Sequence, residues 1–216
     1  MLTGKKLTKS YGARRVFENI DLEVAQGEIV VVYGKSGVGK STLINVLSGL
    51  DTPDGGVVEF MGRDCSSFTK QEKLDFRRKR MSLVFQEFNL LSHLTAYENI
   101  EIAGGQVSED LLEKLGIGEF RSRLPGQLSP GQQQRAAVAR AIVKDPDLIL
   151  ADEPTGALDP DSADAIVEAL KTERANGKAI FVATHGTFST EVADRVYELT
   201  ETGLALRRGS GKNSKQ

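Results

Sequence analysis

The sequence has little cysteine, no excess of positive charge and no long hydrophobic run. Its 216 residues include one cysteine, Cys65, which excludes an intramolecular disulfide and is typical of a reducing compartment. The net charge of −2 excludes a global basic field, so we expect no nucleic-acid partner. The start of the sequence lacks a signal-peptide pattern, and no apolar run approaches the ~18 residues of a membrane span. We therefore expect a soluble chain that reaches a membrane only through a partner.

The sequence does contain a glycine-rich turn between a predicted strand and a predicted helix. The apolar, β-branched run 29–33 predicts a buried strand, and residues 43–47 continue as a helix. The segment between them has the spacing of a phosphate-binding loop. Its residues are Gly34, Lys35, Ser36, Gly37, Val38, Gly39, Lys40, Ser41 and Thr42.

Each residue type in this loop has a chemical reason. Gly34, Gly37 and Gly39 are predicted to take positive φ and to bring bare amides against phosphate oxygens. Lys40 offers a positive charge between the β- and γ-phosphates of ATP, and the Ser41 hydroxyl offers a hard oxygen for Mg²⁺. The alternative is a flexible turn that binds nothing. The complete spacing and the strand-to-helix context favour phosphate binding.

The alternation of strands and helices predicts an α/β fold with a mostly parallel sheet core, and the phosphate-loop motif makes the P-loop NTPase type the expected fold class. Residues 2–26 predict two edge strands of an N-terminal antiparallel β part, with Tyr11 in the turn between them. Residues 87–128 break the strand rhythm, and we interpret them as a small helical subdomain inserted into a single domain of residues 1–206. The polar residues 207–216 predict a disordered tail.

A second chemical cluster follows a predicted buried strand at residues 148–151. Asp152 and Glu153 come next, and Pro154 is expected to end the strand and hold Glu153 in an extended conformation. Ligands of doubly wound sheets collect at the carboxyl ends of strands, so both acids should face the phosphate loop. Asp152 is predicted to hold Mg²⁺ and Glu153 to activate a water molecule. A solvated turn is the alternative, and the phosphate loop makes it the weaker one.

The segment that opens the helix after residue 128 also has two interpretations. Ser129 is a suitable N-cap, and Pro130 suits the first helical position, which is consistent with helix capping alone. A helix N-terminus also presents free amides to an anion. Gly131 and Gln132 belong to this possible second anion site.

Several motifs occur together in a specific order, and the sequence thereby resembles the ATP-binding cassette of ABC transporters. The match covers about residues 2–200, and two stretches, 85–91 and 152–159, are most similar to the lipoprotein-release and macrolide-export branch. The ordered motifs are residues 34–42, Gln86 after an apolar strand, residues 128–132, residues 150–153, residues 156–159 and His185 after residues 182–184.

The resemblance implies an ATP-hydrolysing enzyme with ATP and Mg²⁺ as its ligands. By this resemblance Tyr11 would stack on adenine, and Gln86 would touch Mg²⁺ and sense the membrane partner. His185 would contact the γ-phosphate and assist Glu153 and Lys40 in catalysis.

The resemblance also implies partners. Ser129, Gly131 and Gln132 would reach the γ-phosphate held by a second copy of the chain, and Asp159 would cross the interface of this head-to-tail dimer. ATP-driven dimerisation and hydrolysis would change the conformation of separate membrane-spanning permease subunits. The implied location is cytoplasmic, on the inner face of the cell membrane.

Two features depart from the family pattern. The family usually has glycine where this chain has Pro130, and proline has no N–H to donate. The segment between Gln86 and Ser129, which normally meets the membrane subunits, is shorter than in most relatives.

Two other functions compete with a transporter ATPase. The first is a regulatory module whose ATP-gated dimerisation controls a membrane-bound partner with little transport, and this sequence does not separate it from a transporter subunit. The second is a soluble ABC ATPase of DNA repair or translation, which usually carries two cassettes or a long coiled-coil insertion. Neither feature is present in the sequence.

Overall fold

The computed structural model describes residues 1–156, 158–186, 188 and 190–209. The strands of the described residues are β1 (Leu2–Tyr11), β2 (Arg14–Val24), β3 (Ile29–Tyr33), β4 (Gly55–Phe60), β5 (Arg63–Asp64), β6 (Met81–Val84), β7 (Leu148–Asp152), β8 (Ala179–Thr184), β9 (Arg195–Thr200) and β10 (Gly203–Gly209). Their α-helices are α1 (Lys40–Leu47), α2 (Lys70–Lys79), α3 (Ala96–Glu101), α4 (Glu109–Lys114), α5 (Pro130–Ile142) and α6 (Pro160–Ala175).

The strands form two sheets. Strands β2, β1, β4 and β5 make an antiparallel sheet in that order, which confirms the predicted antiparallel β part. The second sheet has the order β10-β9-β3-β8-β7-β6, and its strands are parallel except for β10. The predicted α/β fold with a mostly parallel sheet is therefore confirmed.

The core lies on both faces of the parallel sheet because side chains alternate along each strand. Val31 of β3 packs in one apolar cluster with α5 and α6 residues, among them Ile166. Its neighbours Val30 and Val32 pack in the other cluster with α1 and the antiparallel sheet. This burial on both faces explains why the sequence of β3 is a continuous apolar run. It also holds in place the carboxyl end of β3, where the phosphate loop begins.

The sequence analysis did not predict β9, β10 or α3. Strand β9 has three buried residues of six, which pack on both faces of the sheet, and β10 pairs beside it as the antiparallel edge. Helix α3 begins with a capping box between Thr95 and Glu98, in the segment interpreted as helical.

Strand β10 reaches Gly209, so the disorder predicted from residue 207 is wrong for residues 207–209, and residues 210–216 lie outside the described residues. No helix in the described part of the chain combines the length and apolar character needed to span a bilayer.

Candidate active site

The phosphate loop joins β3 to α1, and its glycines are needed for two different reasons. Gly37 and Gly39 have φ of 76° and 115°, as predicted. Gly34 does not take positive φ, so that part of the prediction is wrong. A Cβ at Gly34 would lie 2.5 Å from the carbonyl oxygen of Leu199 in β9, so glycine is required here for close packing. The loop is thus held against the last strands of the sheet.

Lys40 is the first residue of α1, and its side chain is buried inside the loop. Its ammonium group donates to the carbonyls of Gly34 (2.8 Å) and Lys35 (3.2 Å). The Nζ atom also lies 3.5 Å from Oε1 of Glu153. A buried cation that is held mainly by neutral carbonyls strongly attracts an anion, because burial removes the water that would otherwise solvate it.

The acidic pair occupies the end of β7. Asp152 is the last residue of the strand, and Glu153 follows with a φ of 50°. The prediction that Pro154 holds Glu153 in an extended conformation is therefore wrong. The Glu153 amide donates to the Ala183 carbonyl at 2.8 Å, and the Glu153 carbonyl accepts from the Gly156 amide at 3.1 Å. These two bonds fix a left-handed turn against the local preference before proline.

Asp152 has an environment suited to a cation. Burial raises the pKa of its carboxyl group, a hydrogen bond from the Ser41 side chain lowers this pKa, and the nearby Glu153 charge raises it. The Oδ1 atom is buried and has no hydrogen-bond partner among the described residues. An unpaired carboxylate oxygen beside a serine hydroxyl forms a pair of hard oxygens of the kind that Mg²⁺ prefers.

His185 follows β8 and contacts Glu153 directly. Its ring Nδ1 lies 2.7 Å from Oε1 of Glu153, and its amide donates to Oε2 at 3.1 Å. The Glu153 side chain is almost fully buried, whereas the His185 side chain is half exposed. His185 therefore orients the Glu153 carboxylate while its ring remains accessible from the cleft.

These groups meet in one cleft of about 210 Å³, which brings together the predicted phosphate, metal and catalytic residues. Three strand ends contribute to it, from β3, β7 and β8, and so does the segment after β6. The lining residues are Ser36, Gly37, Gly39, Lys40, Ser41, Thr42, Gln86, Asp152, Glu153 and His185.

Tyr11 lies at the end of β1, outside the residues that line this cleft, and its ring is half exposed. Its hydroxyl donates to Oδ2 of Asp51 at 2.6 Å, and this bond raises the pKa of Tyr11. The Thr42 side chain also interacts with the hydroxyl. The Lys9 ammonium lies 5.0 Å from the ring centroid. Tyr11 is thus fixed beside the phosphate loop with much of its ring accessible.

The residues at the start of α5 also lie outside the lining of the cleft in the described part of the chain. Ser129 forms a capping box with Gln132: its Oγ accepts from the Gln132 amide at 3.2 Å, and its amide donates to the Gln132 side chain at 3.0 Å. Pro130 occupies the first turn, as predicted. The helix-capping interpretation is therefore correct for Ser129, and the Ser129 hydroxyl can still donate its proton elsewhere.

Asp159 lies against the start of α5. It is the N-cap of α6 and accepts from the Ser162 amide at 2.9 Å, which lowers the pKa of its carboxyl group. A Cβ at Gly131 would lie 2.8 Å from Oγ of Ser162 and 3.2 Å from Oδ2 of Asp159. The two segments assigned to a dimer interface are thus neighbours. Ala157, between them in sequence, lies outside the described residues.

The sequence analysis missed the residues that position the segment after Gln86. Asn99 is buried in α3, and its amide group donates to three main-chain carbonyls, including that of Leu91 at 3.1 Å. Arg140 of α5 donates to the carbonyls of Phe88 (2.8 Å) and Asn89 (2.6 Å). The capping box of Thr95 and Glu98 was the available signal for the helix that carries Asn99, and none indicated the burial of Asn99 itself. No local signal indicated the contact of Arg140.

The sequence analysis also missed Arg135, which lies in α5 three residues after Gln132. Its guanidinium donates to the Leu115 carbonyl at 3.1 Å and lies 5.3 Å from the Phe120 ring. Both partners belong to the helical subdomain. Arg135 therefore ties this subdomain to α5.

A glycine-rich loop between a parallel strand and a helix, with a buried lysine facing an acidic pair at the end of β7, two strands away in the same sheet, defines a P-loop nucleotide triphosphatase. The family model described as ABC transporter matches residues 17–156. The chain belongs to the family of ABC transporter ATP-binding domains. It is an ATP-binding ATPase.

Curated relatives are similar over nearly the whole chain. The chain is 40% identical to the macrolide export ATP-binding/permease protein MacB 1/2 of Paracoccus denitrificans, over 96% of this chain and 33% of that protein. It is also 40% identical to an ABC transporter ATP-binding protein of Methanocaldococcus jannaschii, over 93% of this chain and 96% of that protein. The chain thus spans a third of the MacB relative and nearly all of the other.

Solved structures agree with these relatives. An ATP-binding cassette determined as a dimer in a post-hydrolysis state with ADP and Pi has a TM-score of 0.84 and 35% identity, covering 97% of this chain and 100% of that chain. A bacterial ABC transporter cassette, also dimeric, has a TM-score of 0.83 and 36% identity, covering 96% of this chain and 97% of that one. The predicted family and P-loop fold are confirmed.

Proposed function

We propose that this chain is the Mg²⁺-dependent ATPase subunit of a transporter, which works as a head-to-tail homodimer on separate membrane-spanning permease subunits. The observation that carries the proposal is the grouping of Lys40, Asp152, Glu153 and His185 in one cleft beside the phosphate loop. This grouping supplies a phosphate-binding cation, a metal ligand and an oriented base.

Within the cleft we assign a separate role to each group. The amides of residues 34–42 and the Lys40 ammonium bind the phosphates, and Tyr11 stacks on adenine. Ser41, Gln86 and Asp152 would hold Mg²⁺, which neutralises charge on the phosphates. The described residues contain no group of three or more histidine, cysteine or acidic side chains that could hold a metal ion, which fits an ion held jointly with nucleotide phosphates.

Glu153 is assigned as the base that orients and deprotonates the attacking water. Its buried carboxylate is fixed by two contacts from His185, so it needs no reorganisation before it accepts a proton. His185 itself contacts the γ-phosphate in this proposal. The Lys40 charge, 3.5 Å away, turns from Glu153 to the phosphates when ATP binds.

The dimer is proposed because a second candidate anion-binding element lies outside the cleft. Ser129, Gly131 and Gln132 begin α5, with Asp159 packed beside them, and none of these residues lines the cleft within the described chain. A second copy related by a twofold axis would bring this element to the γ-phosphate. Two similar solved structures, both of one cassette, are dimeric.

The membrane partners are proposed from the relatives. The MacB relative is named as an ATP-binding/permease protein, and this chain spans 33% of it. A chain that acts on separate permease subunits would lie on the cytoplasmic face of the membrane. The helical subdomain, residues 87–128, would transmit the motion, because Arg135 ties it to α5.

We expect ATP to drive dimerisation of the Glu153→Gln variant, since the bound γ-phosphate then persists at the shared interface. Light scattering with ATP, with ADP and without nucleotide measures this, and only ATP should double the mass. The Glu153→Gln/Ser129→Ala double variant is the control, because it removes a donor from the interface. A monomer under all three conditions, at ATP concentrations well above the dissociation constant, would contradict the proposed dimer.

Replacing Pro130 by glycine is expected to strengthen this dimer. Glycine restores an N–H at the helix start, and a hydrogen bond to a charged group contributes ~1.5–3 kcal/mol, which corresponds to a ten- to hundredfold shift in dimerisation or turnover. Light scattering and steady-state hydrolysis measure the change, and a thermal melt checks the fold.

The matched control is Pro125→Gly, which makes the same substitution at the start of the nearby 3-10 helix Pro125–Gln127. It should lower the melting temperature without a gain in dimerisation. Unchanged dimerisation and turnover in Pro130→Gly would mean that Pro130 serves only the helix start.

A further inference from the structure

A second cleft, of about 270 Å³, follows the edge strand β6 on the side away from the other strands of its sheet. It lies between the end of α2, the end of α5 and the residue two positions after α3. Its lining combines apolar side chains with three cations and one hydroxyl. The lining residues are Arg77, Met81, Ser82, Leu83, Phe85, Ala103, Arg140, Ala141 and Lys144.

The cations in this cleft are bonded to neutral acceptors. Lys144 donates to the carbonyls of Arg77 (3.1 Å) and Met81 (2.8 Å). The Arg77 guanidinium donates to the Gly49 carbonyl at 3.1 Å. Arg140 donates to the main-chain carbonyls of Phe88 and Asn89. Across the described chain, none of the three cations forms an ion pair with a carboxylate.

The lack of a paired carboxylate matters because Arg140 and Lys144 are partly buried. Burial lowers the pKa of both groups, and no neighbouring carboxylate raises either pKa. Other cations of the chain are paired, as Arg80 is with Asp147 at 2.6 Å. The charge in the cleft is local, because the whole chain carries a net charge of −2. An anion that enters the cleft would therefore meet three positive charges, two of which, on Arg140 and Lys144, have their solvation weakened by burial.

The hydroxyl of Ser82 gives an independent indication of a ligand. Ser82 is 3% exposed, and its Oγ atom has no hydrogen-bond partner within the described residues. Buried hydroxyl groups are normally paired, and one without a protein partner often marks a place where another molecule supplies an acceptor. Ser82 lies in the middle of β6, and it lines the same cleft as the cations.

We propose that this cleft binds an oxyanion, a phosphate or a carboxylate, through Arg77, Arg140 and Lys144, with the Ser82 hydroxyl donating a hydrogen bond. Guanidinium groups bind both kinds of oxyanion through paired N–H donors. The proposal is independent of ATP hydrolysis and holds for the isolated chain.

The position of the cleft gives the bound anion a route to the nucleotide site. Phe85 lines this cleft, and Gln86, the next residue, lines the nucleotide cleft. Arg140 holds the main chain just after both residues. An anion that draws the Arg140 guanidinium toward itself therefore acts on the segment that carries Gln86.

The test follows amide resonances of the full chain by NMR, with Mg²⁺ and ADP filling the nucleotide site. Inorganic phosphate is the first probe, and a capped pentapeptide with one glutamate between leucines is the second. A glutamine version of the peptide is its control. We expect saturable shifts at Ser82, Leu83 and Ala103 with phosphate, with the glutamate peptide, or with both. The probe with the lower dissociation constant identifies the source of the oxyanion.

The variants compare neighbouring arginines with the same change in net charge. Arg77→Gln should raise the dissociation constant of the responding probe about tenfold or more, because it removes a charged donor. Arg78→Gln, at the next and exposed position outside the lining, should change it by about twofold or less.

Lys144→Gln provides a second test in case Arg77→Gln does not fold, as judged by a thermal melt, and the same tenfold rise is expected. The proposal is overturned if neither probe gives saturable shifts at these amides, or if Arg78→Gln weakens binding as much as the two cleft variants.

Discussion

Glu153→Gln is expected to lower the turnover of ATP by ~10²–10⁴ while ATP affinity stays within a fewfold of the original value. Glutamine keeps the size of the side chain but cannot accept the proton of the attacking water. The variant also removes the negative charge 3.5 Å from the Lys40 ammonium, so the attraction of Lys40 for phosphate is not reduced. Single-turnover hydrolysis and titration with a fluorescent ATP analogue measure the two quantities separately.

Asp152→Asn is the matched control, because it makes the same change of acid to amide at the neighbouring position. It should mainly raise the Mg²⁺ concentration needed for half-maximal hydrolysis, since the buried Oδ1 of Asp152 is the proposed metal ligand. If Glu153→Gln hydrolysed ATP as fast as the unsubstituted chain, the role of Glu153 as the base would be contradicted. The same Mg²⁺ requirement in both variants would contradict the division of roles.

Lys40→Ala is expected to weaken nucleotide binding by roughly ten- to a hundredfold. The lost contact is a charge-assisted hydrogen bond from a buried ammonium group, worth ~1.5–3 kcal/mol. Removal of the side chain also releases the carbonyls of Gly34 and Lys35, which are consecutive residues of the phosphate loop. Isothermal titration with Mg²⁺ and ATP measures the affinity, and a thermal melt reports any loosening of the loop.

Lys35→Ala is the control within the same loop. It removes the same charge from an exposed position, where solvent screens its interaction with phosphate, so we expect about a threefold effect or less. Equal losses in Lys35→Ala and Lys40→Ala would show that only the summed charge of the loop matters. Full affinity in Lys40→Ala would contradict the proposed contact with the phosphates.

Much of the fold could be predicted because strong local patterns determine it. The run before the phosphate loop is buried on both faces, so it reads as a strand without any knowledge of its neighbours. The β9–β10 hairpin is only partly buried at the sheet edge, and its mixed polarity hid it. Helix α3 has six residues, too few to show helical periodicity, although its capping box was visible in the sequence.

The composition of the site was also predictable, whereas its internal geometry was not. Local rules placed the acids at a strand end and the lysine where the phosphate loop meets its helix, and the resemblance added the histidine. The structure brings all four side chains into one cleft. The backbone of Glu153 contradicts the rule for residues before proline, because a bond to Ala183 on the next strand outweighs it. The requirement for Gly34 likewise comes from Leu199, far away in sequence. Such contacts depend on the order of strands in the sheet, which no short motif encodes.

That strand order has a consequence for how the protein is made. Strand β3 lies between β8 and β9, so both neighbours of the strand that carries the phosphate loop leave the ribosome long after it. At about 5–20 residues per second, the loop waits on the order of ten seconds for the segments that support it. The nascent chain therefore exposes an apolar strand with two unpaired edges until β8 and β9 have been made. Nucleotide cannot stabilise this intermediate, because Glu153, His185 and the backing of Gly34 by Leu199 have not yet assembled.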